Sequence, residues 1–264
     1  MPTVDENKRL WDGWYRWDER GDEWSEAWGG PSMQWYGTIL PRIHSLVPAD
    51  CILEIACGYG RWTQFLKDLC HNLVVIDLSE ECVSACRERF ADCSHIEYYV
   101  NDGRSLDMVA HSSIDFAFSF DSLVHADESV LRAYISQLPR ILTEEGAAFL
   151  HHSNLGEYQA FYASIRRVRG LESLLTKIGL LDSDLHQRDF GVSSELVREL
   201  AEAYGLSCTS QEIVPWGTRR TRTDCFSTIT RSSAHSGGRN VVLRNDGFMQ
   251  EVEYILRLSQ LYTD

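Results

Sequence analysis

No segment of this 264-residue chain comes near the ~18 consecutive apolar residues of a membrane span, so no membrane partner is expected. The opening MPTVDENKRLW lacks the charged-then-apolar layout of a secretory leader, and a cytoplasmic location is expected. Basic residues are few beside acidic ones, 25 against 39, which gives a formal net charge of −14. That average repels a phosphate backbone, so nucleic acid is not an expected substrate. The eight cysteines (51, 57, 70, 82, 86, 93, 208 and 225) contain no C-x-x-C pair. They read as reduced thiols and not as a disulfide framework. Cys82 and Cys86 lie one helical turn apart, but two ligands fall short of the four a zinc site needs, and no metal is expected. Gly-Lys-Ser/Thr is absent, which argues against a nucleoside triphosphate site. Internal repeats and low-complexity tracts are absent too.

What is there has a clear order. The length suits one generous α/β domain with decoration. Residues 1–46 form an N-terminal helical cap in this reading. Six of the eight tryptophans fall there, at 11, 14, 17, 24, 28 and 35, and the first three recur every three residues as on one helical face. Ser32 to Leu46 reads as a second helix that Pro41 kinks or breaks. From residue 47 to 234, strand-like and helix-like stretches alternate. CILEIAC, NLVVIDLS, IEYYVND, SIDFAFSF and GAAFLHHS read as strands, separated by helices, and this argues for a parallel sheet covered on both faces. Pro139 is expected to end or kink the fourth of these helices. Residues 155–190 are too long for a simple connection and read as a lid-like insertion. CTSQEIVPW and DCFSTITR, joined by GTRRTRT, suggest an antiparallel hairpin, and residues 235–264 read as a helical extension.

The first strand runs ILEIACGYGRWT, an acid-bearing apolar run handed to two glycines and a helix. In an open α/β sheet, ligands bind where strand ends meet the following loops. Gly58 and Gly60 let backbone approach a ligand with no Cβ in the way, and the next helix offers free N–H groups. Acids then stand at successive strands. Asp77 can accept from ribose hydroxyls, Asp102, beside Gly103, from an adenine amino group, and Glu54 can orient an amino-acid moiety. Together they suit a ligand with a ribose, an adenine and an ammonium group.

On these residues the chain resembles the class I S-adenosylmethionine-dependent methyltransferases. Glu54-Ile55-Ala56-Cys57-Gly58-Tyr59-Gly60 corresponds to the family's first motif, with Ala56 in place of a glycine, a change tolerable if the backbone at 56 needs no positive φ. Asp77, followed by Leu78, corresponds to the ribose acid, Asp102 to the adenine acid, and IDFAFSFD at 114–121 to the fourth motif. The resemblance implies a Rossmann-like, seven-stranded sheet with helices on both faces. It also implies S-adenosylmethionine as methyl donor and S-adenosylhomocysteine as product. Aromatic faces attract a sulfonium, and Tyr59, Phe120, Trp28 and Trp35 are candidates for that contact.

The acceptor is less clear from sequence. Asn/Asp-Pro-Pro-Tyr is missing after the fourth strand, which argues against amino methylation of adenine or glutamine. His125 in the loop after that strand and His152 at the end of the fifth are candidate general bases for a hydroxyl. Asp121, His151, Arg219 and Arg220 are candidate acceptor contacts. Three arginines at 166, 167 and 169, and three at 219, 220 and 222, suggest an anionic acceptor such as a phosphorylated sugar. The overall pattern resembles bacterial methyltransferases of sugar and polysaccharide modification, which implies O-methylation of a sugar or related small metabolite. N-methylation of a small molecule, a non-catalytic scaffold role and assembly into a homo-oligomer stay open.

Overall fold

The computed structural model describes residues 3–182, 185, 187–218, 221–231 and 240–262. Its strands are β1 (Ala49–Ile55), β2 (Cys70–Asp77), β3 (Ile96–Val100), β4 (Ile114–Ser119), β5 (Leu142–Ser153), β6 (Ser207–Val214), β7 (Asp224–Thr230) and β8 (Val241–Arg244). They form one sheet in the order β3-β2-β1-β4-β5-β7-β6-β8. The first five strands are parallel, β7 runs antiparallel to both β5 and β6, and β8 adds parallel to β6 at the edge. The sheet therefore has eight strands and not the seven expected. The added strand, VVLR, has all four residues exposed, so it carries no alternation of buried and exposed positions for sequence reasoning to find.

Alternation within the parallel strands divides the core in two. Leu53, Ile76 and Ala117 face the helices Glu128–Ile141 and Ser194–Ala203, which bury Leu131, Ile135, Leu138, Val197 and Leu200 against them. Ile52, Leu73, Phe116 and Phe118 face the opposite side, where Trp35, Ile39, Ile43, Phe248 and Val252 pack. Helices thus cover both faces, as a buried parallel sheet requires. Asp127 and Ser193 cap two of them by accepting from Val130 and Leu196 N–H groups. The helix Glu128–Ile141, expected to end or kink at Pro139, carries that proline in its last turn and ends two residues beyond it. At Pro41 the helical run from Pro31 to Ile43 instead absorbs the proline with a π-turn over Trp35–Ile39, where Leu40 N–H reaches back to the Trp35 carbonyl.

The N-terminal cap is less regular than its tryptophan spacing suggests. One helical turn and a half, Val4–Arg9, runs into a π-turn that ends at Trp14, and a 3₁₀ segment covers Asp22–Trp28. This cap packs on the C-terminal helix Phe248–Tyr262. Gly29 lies so close that a Cβ there would clash with Ser259 Oγ, and Gly37 abuts Ile255. In the insertion, helices Gln159–Arg166 and Leu171–Lys177 close a small core of Tyr162, Ile165 and Leu181. No helix among the described residues is long and apolar enough to cross a membrane.

One side chain ties the cap, the sheet and the C-terminal helix together. Arg42 donates through Nε and Nη2 to Glu212 at 2.7 and 2.8 Å, and through Nη1 and Nη2 to Glu251 at 2.9 and 3.1 Å. Its guanidinium lies over Phe226 and Phe248. Arg42→Ala leaves two half-buried carboxylates facing one another and is expected to cost about 2–4 kcal/mol, read as a lowered melting temperature. Arg42→Lys should recover only part of that, because an ammonium cannot reproduce the paired donors.

Candidate active site

The C-terminal ends of β1, β2 and β4 open into a cavity of about 1040 Å³, its mouth included, which suits a ligand of nucleoside size or larger. Asp77 ends β2 with its carboxylate buried beneath this cavity, and its two oxygens accept from Gly58 N–H and Ser79 N–H, each at 2.9 Å. Burial pushes its pKa up to about 6, against the pull of those backbone donors. Leu78, Gly58 and Gly103 also line the cavity. Gly58 adopts φ +55°, and a Cβ there would meet the Trp17 ring at 3.2 Å.

Ala56 lines the same turn with φ +61°, so the backbone there does need the left-handed conformation. An L-residue holds it at a cost of about 1–2 kcal/mol. The turn is fixed by Ala56 N–H to the Ile76 carbonyl at 2.8 Å, and by Ser122 Oγ donating to the Ala56 carbonyl at 2.9 Å.

Several expected contacts lie elsewhere. Glu54 is 1% exposed and points into the core, where Thr63 Oγ1 donates to Oε2 at 2.5 Å and Oε1 has no partner. Burial raises its pKa to about 8, so at neutral pH it carries a proton and cannot hold an ammonium by charge. Gly60 is outside the lining. A Cβ there would meet Phe90 at 2.5 Å, so its φ of +86° serves helix packing. Asp102 is exposed and bonds the backbone N–H groups of Arg104 and Ser105, which hold its pKa low and turn it from the cavity. The buried polar side chain at that strand end belongs to Asn101, which accepts from Gly103 N–H and donates to Tyr134 Oη. Trp28 and Trp35 are core residues: Trp28 Nε1 donates to Thr38 Oγ1, and Trp35 stacks on Phe65. The aromatic wall is made instead by Trp11, Trp17 and Trp24 of the cap, with Phe120, Tyr59 and Tyr134. Trp17 stacks on Tyr59 with ring centroids 4.4 Å apart.

Among the described histidines, only His125 lines the cavity. Its Nδ1 is buried without a hydrogen bond, and burial with the charge of Arg188 lowers its pKa to about 4. His152 has both ring nitrogens occupied, Nδ1 with the Ser153 carbonyl and Nε2 with Ser227 Oγ, each at 2.8 Å. Fully buried and away from the cavity, it is not placed to take an acceptor proton. His151 Nδ1 accepts from Asp121 N–H at 3.1 Å, and Nε2 meets Asp224 at 2.9 Å. Arg188 grips the same Asp224 at 2.9 and 2.7 Å. His151 therefore props Asp121 and does not contact the cavity. Asp121 does line it, with φ +61° and its carboxylate accepting from Arg61 Nη2 at 2.8 Å. Arg61, unmarked by any motif in the sequence analysis, lines the cavity beside it.

Arg219 and Arg220 fall outside the described residues. Of the other basic residues expected to grip an anion, Arg222 is paired with Asp246 and Arg166 with Glu172. Arg167 and Arg169 are exposed in the insertion, none of whose described residues lines the cavity.

A crossover sheet with its cavity above a strand-end acid and a glycine turn is the architecture of a class I methyltransferase. The methyltransferase domain family matches residues 52–146. Nodulation protein S of Sinorhizobium fredii is 26% identical over 139 residues, 52% of this chain and 60% of that protein. The chain spans between 21% and 60% of the length of the curated relatives it matches. Among solved structures, N-methyltransferase NodS from Bradyrhizobium japonicum superposes with a TM-score of 0.51 at 18% identity, covering 76% of this chain and 97% of that one. Magnesium protoporphyrin IX methyltransferase from Synechocystis, with bound S-adenosylhomocysteine, gives 0.51 at 17% identity, covering 86% and 94%. Residues 52–146 thus form a methyltransferase domain, the part of the chain that carries the glycine turn and Asp77, in a fold shared with S-adenosylmethionine-dependent methyltransferases of known structure.

The buried acids make stability depend on pH. Glu54 has a folded pKa near 8 against an ordinary value of 4.5, and Asp77 near 6 against 3.8. Each therefore binds a proton more tightly in the folded state. Its stabilising share is complete below the lower value and is lost as pH rises through the higher one. Glu54→Gln is expected to match the parent near pH 4 and to exceed it at pH 7 by on the order of 2 kcal/mol. Denaturant melts from pH 4 to 8 measure this, with a shallower slope expected for the variant.

Proposed function

We propose that the protein methylates an amine nitrogen of a small molecule. The observation that carries this reading is the state of His125. Burial makes it a weak base, with a pKa near 4, and no better placed base lines the cavity among the described residues. Asp121 is paired with Arg61, Asp127 caps a helix, and Asp77 is held by two backbone amides. A sugar hydroxyl gives up its proton only far above neutrality and needs a matched base. An amine enters as its free base and attacks through its lone pair. The N–C bond forms as the S–C bond of the donor breaks, and the extra proton leaves the ammonium product for solvent. The nodulation relative, whose solved namesake is titled an N-methyltransferase, supports the same choice.

S-adenosylmethionine supplies a methyl group on a cationic sulfur, and the chain's own groups fit such a molecule. Asp77 keeps lone pairs for ribose hydroxyls, and the turn at Ala56 and Gly58 permits close approach. Trp11, Trp24 and Phe120 present ring faces that favour a cation and exclude water. Methylation of a sugar hydroxyl is the second reading, favoured by the unpartnered Nδ1 of His125.

Calorimetry with S-adenosylhomocysteine should show Asp77→Ala binding weaker by about 1–3 kcal/mol. An unchanged affinity removes Asp77 from the site. With an amine acceptor, His125→Ala should keep turnover within about tenfold of the parent, and kcat/KM should rise with pH toward the amine's own pKa. A loss of ~10²–10⁴ on a glycoside acceptor instead establishes the hydroxyl reading. Tight cofactor binding with no turnover across amines and glycosides points to a scaffold.

A further inference from the structure

Arg61 is the one Lys or Arg among the described residues that line the cavity, and it is 7% exposed. It follows Gly60 directly, so the glycine turn delivers it. Three contacts fix its plane. Nη2 donates to Asp121 at 2.8 Å, and the guanidinium lies over the Trp62 ring at 4.5 Å and the Trp24 ring at 5.7 Å. Asp121 is itself held by the His151–Asp224–Arg188 chain beneath it. The opposite edge of the guanidinium is different: Nη1 is buried with no hydrogen-bond partner. A buried donor left unmade is unfavourable, and native interiors keep few of them. Neutralising Asp121 needs only one edge of the fork, so the second edge has no structural task.

We propose that Arg61 is a carboxylate anchor, its free Nη1 taking an oxygen of a carboxylate brought by a bound molecule. The inference rests on the cofactor assignment and deepens it. Two molecules in the reaction can bring that group: the cofactor through its amino-acid end, and an acceptor that is itself an amino acid or amino acid-like. A monoanion fits better than a phosphate dianion, because Asp77, Asp121 and Asp127 line the same cavity. Trp24 on one face makes the anchor depend on the cap, since the ring that holds the guanidinium comes from the N-terminal segment.

The test compares S-adenosylhomocysteine with its carboxamide analogue by calorimetry, on the parent protein, Arg61→Gln and Arg61→Lys. If the cofactor brings the carboxylate, the parent binds S-adenosylhomocysteine about 10–100-fold more tightly than the carboxamide. Arg61→Gln should then lower only the former, to the level of the latter, and Arg61→Lys should keep part of the preference. If the acceptor brings it, both nucleosides bind the parent equally. Acetate and glycine should then bind the S-adenosylhomocysteine complex saturably, at fixed ionic strength, and lose that binding in Arg61→Gln. Equal binding of both nucleosides to the parent, with no binding of acetate or glycine, overturns the proposal without recourse to a variant and leaves the cofactor assignment standing. Failure of S-adenosylhomocysteine to bind at all overturns the assignment and the proposal together. Near-UV circular dichroism of each variant separates lost binding from lost folding.

Discussion

The hydrogen bond from Gly58 N–H to the buried carboxylate of Asp77 is the constraint on which the site depends. It joins the turn after β1 to the end of β2 through a side chain, where the Ala56 N–H bond to the Ile76 carbonyl joins them through the backbone. The second oxygen of Asp77 holds Ser79, whose hydroxyl caps the following helix and also reaches Asp12 of the cap. One carboxylate thus sets the glycine turn, the start of a helix and the seat of the N-terminal segment. Its cost is desolvation, and the backbone donors return only part of it, which is why its pKa stays raised.

The same physics explains what could be read in the sequence. The alternation of strand-like and helix-like stretches located β1 to β7 and most of their helices, because those patterns are consequences of burial. The glycine turn and Asp77 were legible because both need a specific residue type at a strand end. Glu54 was not distinguishable from Asp77 by type: both are acids in apolar strands, and only the direction of the side chain separates a protonated core residue from a cavity group. Asp102 and Asn101 are adjacent, and a shift of one position exchanges the buried side chain for the exposed one. His151 and His152 show the same ambiguity. Successive residues on β5 face opposite sides, and neither faces the cavity. Arg61 carried no sequence signal of its own, since an arginine after a glycine turn reads as the start of a helix.

The cap was recognised by its tryptophans, but their shares were not. Trp28 and Trp35 fill the core, whereas Trp11, Trp17 and Trp24 close the cavity. The division falls between Trp24 and Trp28, within the 3₁₀ segment Asp22–Trp28, and Gly29 and Gly30, both with positive φ, then turn the chain into the helical run on the sheet.

The contact of Gly29 with Ser259 orders the assembly of the site in time. The cavity wall precedes the sheet along the chain, and the helix on which the cap rests follows it. The strands that carry Asp77 and the glycine turn can pair while the chain is still being made, since their partners are near in sequence. The aromatic wall reaches its seat only when the helix Phe248–Tyr262 arrives, so the cavity is roofed after its floor is laid. A nascent chain therefore carries an open cleft until that helix has been made.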